Sequence, residues 1–334
     1  MLKTLDVCGI GNAIADVSVN VEDLFLRTHA FDKGSSDLID AAKQEALLAE
    51  FPPSAISFSS GGSVANSLFT IRQLGAETAF QGKVGNDQFG RRFSAELEEV
   101  GIKVGPNFTA QGHTGVSLIM VTPDGERTMR TSLGAAAGFV PSDVYEDFIK
   151  ASKWLFIEGY LLPLGEEARA GIAQALSFAR RHNCKTALTL GAVPLVQEFR
   201  TEMLGLLDRI DLIIGNDEEA QVLTGVTDWE SALKSLQEMV PNAVISAGER
   251  GVLAAFDGRV FQTSAFPPAQ IVSSVGAGDT LAGGVLYGLA KEISPKDFLS
   301  GGCMLATKVL EQAAARLTQR VKEYWDEAVT RAAT

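Results

Sequence analysis

The sequence predicts an α/β protein with a mostly parallel central sheet and helices on both of its faces. From about residue 151 onward, short apolar runs alternate with segments of helical spacing, and this alternation is typical of consecutive βαβ units. Glycine-rich turns lead from several apolar runs into helices, which is where parallel sheets bind ligands. With 334 residues, 46% of them hydrophobic, the chain is long enough for one large α/β domain.

The first hundred residues begin with two predicted strands. Residues 5–10, LDVCGI, are an apolar run that ends in glycines, as is typical of a buried strand. Residues 17–21 alternate apolar and polar side chains, which indicates a strand with one solvated face. The other elements predicted in this part are helices at 40–51, 63–74 and 88–100 and a strand at 78–84.

Residues 114–133 have a different character, because two runs of strand-forming residues flank the turn PDG and predict a β-hairpin. No internal repeat, low-complexity stretch or clear linker interrupts the sequence, so we expect a single domain over residues 1–334. The remaining predicted elements are strands at 153–160, 186–190, 211–216 and 243–248, a hairpin at 253–262, and helices at 166–182, 198–208, 217–224, 229–240, 278–290, 296–312 and 318–332.

The composition excludes several classes of protein. The net charge of −12 and the pI of about 4.8 argue against nucleic acid as a partner, because duplex-binding proteins need a basic face. Cys8, Cys184 and Cys303 form no C-x-x-C pair, which favours free thiols in a reducing cytosol. No signal peptide is recognisable, and no run reaches the roughly 18 apolar residues of a membrane span. We therefore expect a cytoplasmic protein with no membrane partner, either a monomer or a homodimer.

The strongest functional motif is VGAGDT at residues 275–280. Gly276, Ala277 and Gly278 would bring several N–H groups to one point where a helix begins, and so form an anion hole for a phosphoryl group. Asp279 falls in the first helical turn, where we expect its carboxylate to be held ionised and able to take a proton from an attacking hydroxyl. A plain N-cap aspartate after a glycine turn explains the motif equally well.

A second motif, GGSVAN at residues 61–66, stands at the start of another predicted helix. Gly61 and Gly62 would let a ligand approach the backbone closely, and Asn66 offers both a donor and an acceptor to a polyol. Ordinary loop punctuation is the alternative, and it would be preferred if this motif stood alone.

The turn after the first strand begins like a dinucleotide-binding fingerprint, but Ile14 occupies the position of the third glycine and no helix is predicted next. Asn12 and Asp16 are better placed to bind sugar hydroxyls. A Walker A sequence is absent, which disfavours a P-loop nucleotide site.

A fourth motif, NDEE at residues 216–219, ends the predicted strand DLIIGN. Acidic residues are common in first helical turns for reasons of the helix dipole alone. Alternatively, Asn216 and Glu219 could hold Mg²⁺ beside the phosphates of ATP, because Mg²⁺ prefers oxygen ligands and keeps several waters.

Three of these segments carry a family resemblance. They occur in the order GGSVANS, GKVGNDQFG and SVGAGDTLAGG and extend along nearly the whole chain. In these segments the chain resembles the ribokinase (PfkB) family of carbohydrate and nucleoside kinases. The resemblance implies a three-layer α/β/α core with a small β lid, here about residues 14–40 and 104–134. GIGNAIADV, ERTMRTSLGAA and IEGYLL resemble the adenosine-kinase-like branch.

The resemblance also implies roles for individual residues. Asp279 would be the catalytic base, and the acceptor would be a nucleoside or a sugar with ATP and Mg²⁺ as the other participants. The residues implied for the other sites are Gly276, Ala277 and Gly278 in the anion hole; Asn12, Asp16, Gly61, Gly62, Asn66 and Glu158 at the acceptor; Asn216, Glu219, Ser246, Gly248 and Gly251 at ATP; and Asn216 and Glu219 at Mg²⁺, through water.

Two departures from the family pattern bear on specificity. Ser273 stands where many members have an aspartate that helps hold a monovalent cation, which argues against activation by K⁺. Ser63 stands where ribokinases specific for sugars have a charged residue. Lid residues Arg127 and Arg130 could reach the phosphates, although solvation at the surface is the expected fate of each.

The sequence therefore predicts an ATP-dependent kinase that phosphorylates a primary hydroxyl. A nucleoside similar to adenosine is slightly favoured over a free sugar such as ribose or fructose. An apolar slot for its base could come from Phe25, Phe31, Leu133 and Phe139, each of which is more simply a core residue. A nicotinamide-dependent oxidoreductase and a non-catalytic binding protein remain as alternatives; Ile14 weakens the first and Asp279 the second.

Overall fold

The apolar runs of the sequence form the strands of two main sheets in the computed structural model, which describes residues 3–105, 108–109 and 111–333. The strands are β1 (Leu5–Ile10), β2 (Ile14–Asn20), β3 (Ser36–Leu38), β4 (Ser57–Gly61), β5 (Thr78–Gln81), β6 (Val84–Gly85), β7 (Lys103–Val104), β8 (Phe108–Thr109), β9 (Gly115–Val121), β10 (Arg127–Ser132), β11 (Ser152–Glu158), β12 (Lys185–Thr189), β13 (Leu212–Asn216), β14 (Asn242–Ser246), β15 (Val252–Phe256) and β16 (Arg259–Thr263).

Helices follow most of these strands. They are α1 (Asp23–Thr28), α2 (Ala41–Ala49), α3 (Ser63–Gln73), α4 (Gln88–Glu99), α5 (Glu146–Ala151), α6 (Glu166–Arg181), α7 (Val193–Glu198), α8 (Arg200–Leu204), α9 (Asp217–Thr224), α10 (Trp229–Gln237), α11 (Ala277–Ala290), α12 (Pro295–Leu310) and α13 (Val321–Ala333). Within residues 3–105, 108–109 and 111–333, no helix combines the length and the apolar character needed to cross a membrane.

The larger sheet has nine strands in the order β16-β15-β14-β13-β12-β11-β1-β5-β7. The pairs from β7 through to β14 are parallel, and only β15 and β16 run antiparallel to their neighbours. A parallel sheet has to be buried on both faces, and the six residues of β1 are all buried. The prediction of a mostly parallel sheet is therefore confirmed.

Two apolar cores lie on opposite faces of this sheet, because successive side chains of each strand point in opposite directions. In β11, Leu155 and Ile157 belong to the core that includes α6, α9 and α10. Trp154 and Phe156 belong to the other core, which includes α3, α11 and α12. Helix layers on both faces give the three-layer α/β/α architecture that the sequence predicts.

The smaller sheet has five strands in the order β3-β10-β9-β2-β4 and its own apolar core, to which Val17, Leu26 and Met120 contribute. Its β9–β10 pair is the hairpin predicted around PDG. Most of these strands fall within the ranges expected for a lid, and β4 joins them from outside those ranges. Residues 106, 107 and 110 of the expected lid, and residues 1, 2 and 334 of the expected domain, lie outside the described residues. That this sheet acts as a lid remains a prediction.

Two predicted elements are wrong in detail. The helix expected at 198–208 is two short helices, α7 and α8, because Pro194 starts a helix at 193 and Phe199 interrupts it with a φ of −109° and a ψ of 25°. The strand expected at 78–84 breaks at Gly82, where a Cβ would lie 2.7 Å from the main-chain oxygen of Gly11. The backbone just after β5 therefore packs directly against the backbone just after β1.

Candidate active site

The candidate residues collect at the carboxyl ends of the parallel strands, where open α/β sheets bind ligands. Asn12 follows β1, and Glu158 is the last residue of β11. Asn216 ends β13 and Ser246 ends the neighbouring strand β14. The chain thus places the predicted acceptor residues and the predicted ATP residues along one edge of the sheet.

Asp279 joins the two glycine-rich motifs into one site. The Ser63 hydroxyl donates to Asp279 Oδ1 at 2.5 Å, and Asn66 Nδ2 donates to Oδ2 at 2.9 Å. The Ser67 hydroxyl donates to the main-chain oxygen of Asp279 at 2.8 Å. The first turns of α3 and α11 therefore hold the carboxylate between them. Each of its oxygens keeps a lone pair for another donor.

Burial has the largest effect on the pKa of Asp279, and the expectation that the helix start keeps its carboxylate ionised stays a prediction. Burial raises the pKa of the carboxyl, while the hydrogen bonds from Ser63 and Asn66 oppose that rise. A raised pKa makes the ionised carboxylate a better proton acceptor, as a general base requires.

The turn before α11 presents free donors. Gly276 is the N-cap of the helix, with a left-handed φ of 83°, and a Cβ there would lie 1.8 Å from the main-chain oxygen of Ala315. Gly278 has open space where a Cβ would be. Among the described residues, no acceptor binds the main-chain N–H of Gly278 or Asp279. Unsatisfied N–H groups at a helix start attract anions. The N–H of Ala277, in the same turn, donates instead to the main-chain oxygen of Ser274 at 3.4 Å.

Two further glycines bring the predicted acceptor residues together. A Cβ on Gly61 would lie 2.4 Å from the carboxyl carbon of Asp16. Gly62 has a φ of 92°, and a Cβ there would lie 2.3 Å from the main-chain oxygen of Asn12. Any larger residue at either position would displace Asp16 or the turn after β1.

Polar atoms on both sides of this turn are left without partners. Asn12 and Asn66 are buried, and the Oδ1 atom of each accepts no hydrogen bond from the part of the chain that the structure describes. Buried polar groups without a protein partner are rare and need an explanation. A ligand with hydroxyl groups would satisfy both.

The carboxyl of Asp16 also has no hydrogen-bond partner within the described ranges, although the residue is paired through its backbone in β2. Burial raises the pKa of its carboxyl to about 7; the positive charges of Arg316 and Arg127 lower that pKa, and the negative charge of Asp279 raises it. Arg316 belongs to none of the sequence motifs. No pattern in the residues between α12 and α13 indicates that this arginine approaches the site.

Glu158 is fully buried and is engaged by main-chain groups. Its Oε1 accepts the N–H of Asn12 at 2.7 Å, and its Oε2 accepts the N–H of Val64 at 3.2 Å. Burial raises the pKa of Glu158 to about 7, and the two main-chain bonds oppose the rise. Glu158 thus clamps the end of β1 to the start of α3, and a direct contact with an acceptor would compete with these bonds.

The motif at the end of β13 forms a reciprocal capping box. Asn216 Oδ1 accepts the N–H of Glu219 at 2.8 Å, and the Glu219 carboxylate accepts the N–H and the side-chain amide of Asn216 at 3.0 and 2.8 Å. Burial raises the pKa of Glu219. No cluster of three or more acidic, histidine or cysteine side chains forms a ligand set among the described residues. Asn216 already donates to both oxygens of the Glu219 carboxylate. The pair therefore fits a Mg²⁺ ion that is bound through water molecules rather than directly.

The turn after β14 is shaped by two glycines. Gly251 has a φ of 88°, and a Cβ there would lie 2.0 Å from the main-chain oxygen of Thr263, so only glycine allows the turn to pack against β16. Gly248 has a φ of 52° and open space beside it. Ser246 pairs with Val252 across this hairpin. The turn therefore leaves exposed backbone at the predicted ATP side.

The lid arginines differ from each other. Arg130 is buried, not solvated as expected: its guanidinium donates to the Ser35 hydroxyl at 3.0 Å, pairs with Asp37 at 3.0 Å and lies over the ring of Phe31. Arg127 is half-buried and donates to the main-chain oxygen of Ala313 at 2.7 Å.

Of the residues suggested for an apolar slot, two are core residues. Phe31 belongs to the core of the smaller sheet and Phe139 to a core of the larger sheet, whereas Phe25 is half-buried and packs against the former. Leu133 is half-buried beside the predicted lid hairpin. At Ser273, the hydroxyl accepts the N–H of Val275 at 3.2 Å.

Comparison with known proteins supplies the family. The model of the pfkB family of carbohydrate kinases matches residues 37–321. The chain belongs to this family. Its members are phosphotransferases with an alcohol group as acceptor, and a kinase of this family uses ATP.

Three relatives place the pfkB chain within the family. It is 31% identical to the adenosine kinase from Sinorhizobium meliloti, with a TM-score of 0.88 and 97% of this chain and 99% of that chain covered. A probable sugar kinase from Rhizobium etli CFN 42 is 30% identical, with a TM-score of 0.89 and coverage of 98% and 99%. Adenosine kinase 2 from Arabidopsis thaliana is 24% identical over 93% of this chain and 95% of its own length. The ribokinase-like fold and the adenosine-kinase-like branch are confirmed.

Proposed function

We propose that this kinase transfers the γ-phosphoryl group of ATP to a primary hydroxyl of a nucleoside similar to adenosine. The observation that carries the proposal is the position of Asp279, which the first turn of α3 fixes through Ser63 and Asn66 beside the free N–H groups of α11. A general base next to an anion hole is the arrangement that phosphoryl transfer to an alcohol requires.

In the proposed reaction, Asp279 accepts the proton of the acceptor hydroxyl while that oxygen attacks the γ-phosphorus; the bond from this phosphorus to the β,γ-bridging oxygen breaks, and ADP leaves with that oxygen. The N–H groups of Gly278 and Asp279 donate to the phosphoryl oxygens, and so stabilise their charge in the transition state. Asp16, Asn12 and Asn66 bind hydroxyl groups of the acceptor and orient it. Mg²⁺, held through water by Asn216 and Glu219, would neutralise phosphate charge.

The preference for a nucleoside is supported by the branch of the family to which the chain belongs and by its 31% identity to an adenosine kinase. A free sugar is the second candidate, because a probable sugar kinase is 30% identical over 98% of this chain. The two acceptors share the hydroxyl groups that Asp16 would bind, and differ in the base.

The test is a screen of acceptors that measures ADP release with Mg²⁺ and ATP. We expect adenosine or a related nucleoside to give the highest kcat/KM. A much higher kcat/KM with a free pentose or hexose would replace the nucleoside with a sugar, and no ADP release with any nucleoside or sugar would contradict the proposal as a whole.

Replacing Glu219 with glutamine is expected to raise the Mg²⁺ concentration at half-maximal rate by roughly 5–10-fold, or about 1 kcal/mol for one lost charge. The KM for the acceptor should change little, because Glu219 lies on the ATP side. Titrating the rate with Mg²⁺ measures the effect, and Glu218→Gln is the matched control, since Glu218 is its exposed neighbour. The same Mg²⁺ dependence in wild type and Glu219→Gln would remove Mg²⁺ from this motif.

The β9–β10 hairpin is expected to close over the acceptor and exclude water. Amide hydrogen exchange in residues 115–132 should then slow when adenosine is added. The β15–β16 hairpin is the internal control, because it lies at the far edge of the other sheet. Equal exchange in residues 115–132 with and without a bound acceptor would argue against closure.

A further inference from the structure

The connection between α12 and α13, residues 311–320, contacts three parts of the site at once. The main-chain oxygen of Ala313 accepts a hydrogen bond from Arg127 of the smaller sheet. The main-chain oxygen of Ala315 packs against Gly276 of the anion hole. Arg316 donates hydrogen bonds to Ser60, and the next residue, Gly61, lies against the Asp16 carboxyl. A segment without any recognisable motif therefore borders the acceptor pocket.

Arg316 is a buried cation, and part of its guanidinium is unpartnered among the described residues. Only 5% of the residue is exposed, and its guanidinium lies over the ring of Phe69. Nη2 donates to the Ser60 main-chain oxygen and, at 2.6 Å, to the Ser60 hydroxyl, and lies 3.4 Å from the Glu96 carboxylate. Nη1 is buried and has no hydrogen-bond partner among the described residues.

Arg316 and Asp16 lie against the same peptide of β4. Arg316 binds the carbonyl of Ser60, and the Asp16 carboxyl lies against the Cα of the next residue, Gly61. The charge of Arg316 lowers the pKa of Asp16, yet the two side chains form no ion pair within residues 3–105 and 111–333. Arg316 Nη1 and the Asp16 carboxyl are thus an unpartnered donor and an unpartnered acceptor, among the described residues, beside the same stretch of β4.

We propose that Arg316 is a specificity-determining residue of the acceptor pocket. Its Nη1 donates a hydrogen bond to the vicinal diol of the acceptor, and the hydroxyl groups of that diol donate hydrogen bonds to the Asp16 carboxylate. The inference rests on the proposed function and deepens it. A hydroxyl group is both a donor and an acceptor, so a diol satisfies a carboxylate and a guanidinium together, whereas either side chain alone would leave half of its hydrogen bonds unmade. An acceptor with an anionic group in this place would be repelled by Asp16.

The test is a cycle of substrate truncation and mutation. The kcat/KM is measured with adenosine, 2′-deoxyadenosine and 3′-deoxyadenosine for wild type, Arg316→Gln and Arg316→Lys. We expect Arg316→Gln to lose about 10–100-fold with adenosine, the scale of a hydrogen bond to a charged group. With the deoxynucleoside that lacks the contacted hydroxyl, the kcat/KM of Arg316→Gln should lie within about 3-fold of the wild-type value for the same compound. Arg316→Lys should recover part of the loss.

The controls separate specificity from folding. Arg320→Gln changes an exposed arginine of the same connection, which pairs with Glu323, and should leave all three kcat/KM values unchanged. Thermal melts show whether Arg316→Gln is folded; if it is not, Arg316→Lys alone decides the cycle. An equal loss with all three nucleosides would make Arg316 a purely structural residue and overturn the proposal.

The outcome for Arg316 is distinguishable from that for the kinase assignment. If wild type prefers a free sugar, the same cycle is run with that sugar and its deoxy analogues. If no phosphoryl transfer occurs, the proposed function fails, and the affinities for adenosine and 2′-deoxyadenosine are measured by calorimetry in place of kcat/KM. A preference of the wild type for adenosine that is lost in Arg316→Gln would still support the role of Arg316. Binding of neither compound overturns both.

Discussion

Asp279→Ala is expected to reduce kcat by about 10²–10⁴-fold, the usual contribution of a general base. The residue accepts hydrogen bonds from Ser63 and Asn66, so its loss removes the proton acceptor and leaves two donors unpaired. ATP binding should be nearly unchanged, because the N–H groups of the helix start are main-chain groups. Steady-state kinetics and ATP titration of the purified variant measure both effects.

The matched control is Asp297→Ala. Asp297 is the third residue of α12, as Asp279 is the third residue of α11, and it interacts with Ser294 at the helix start. Its replacement should alter stability slightly and kcat not at all. A folded Asp279→Ala protein with near-normal kcat would eliminate Asp279 as the base.

The pH dependence should report the same carboxyl. Because burial raises the pKa of Asp279, the residue is protonated at pH values where an exposed aspartate is ionised. The rate with saturating substrates should therefore fall as the pH decreases through this raised pKa, and reach a plateau above it. Asp279→Asn, which cannot ionise, should have a low kcat that does not vary with pH over the same range.

Gly276→Ala is expected to combine a loss of stability with a loss of activity. A residue with a Cβ is strained at a φ of 83°, and this Cβ would lie 1.8 Å from the oxygen of Ala315. The strain costs roughly 1–3 kcal/mol, and a displacement of the turn by about 1 Å can reduce the rate by about 10²-fold. Thermal unfolding and kcat measure the two effects.

Gly75→Ala isolates the contribution of the backbone angle. Gly75 has a φ of 95° and nothing within 4 Å of the position of a Cβ. This variant should lose stability through strain alone and keep its kcat. If Gly276→Ala matched Gly75→Ala in both measurements, the contact with Ala315 would have no role in shaping the anion hole.

The elements of the fold were predictable because they depend on local patterns. The apolar run at 5–10 and the PDG turn between two strand-forming segments each determine their structure within a few residues. Helix α7 was missed although Pro194 at its first turn was a usable signal. The interruption at Phe199 depends on packing, and no local pattern indicates it.

The site could be predicted only in part, because its groups come from distant segments. Asn66 and Asp279 are 213 positions apart, and the sequence motifs do not show that one binds the other. Arg316 lies in no motif, so only the fold brings it near Asp16. At residues 216–219, the sequence left the helix dipole and a Mg²⁺ site as alternative reasons for the acidic residues. The structure adds a capping box between Asn216 and Glu219, and the role at Mg²⁺ stays a prediction.

The position of β1 in the large sheet has a consequence for the synthesis of the protein. One partner, β5, ends at residue 81, but the other partner, β11, ends at residue 158. At about 5–20 residues per second, one side of β1 stays unpaired on the ribosome for roughly 7–30 s. An unpaired strand of six apolar or buried residues is a template for pairing with other chains. A chaperone that covers this side of β1 would therefore be needed until β11 has been made.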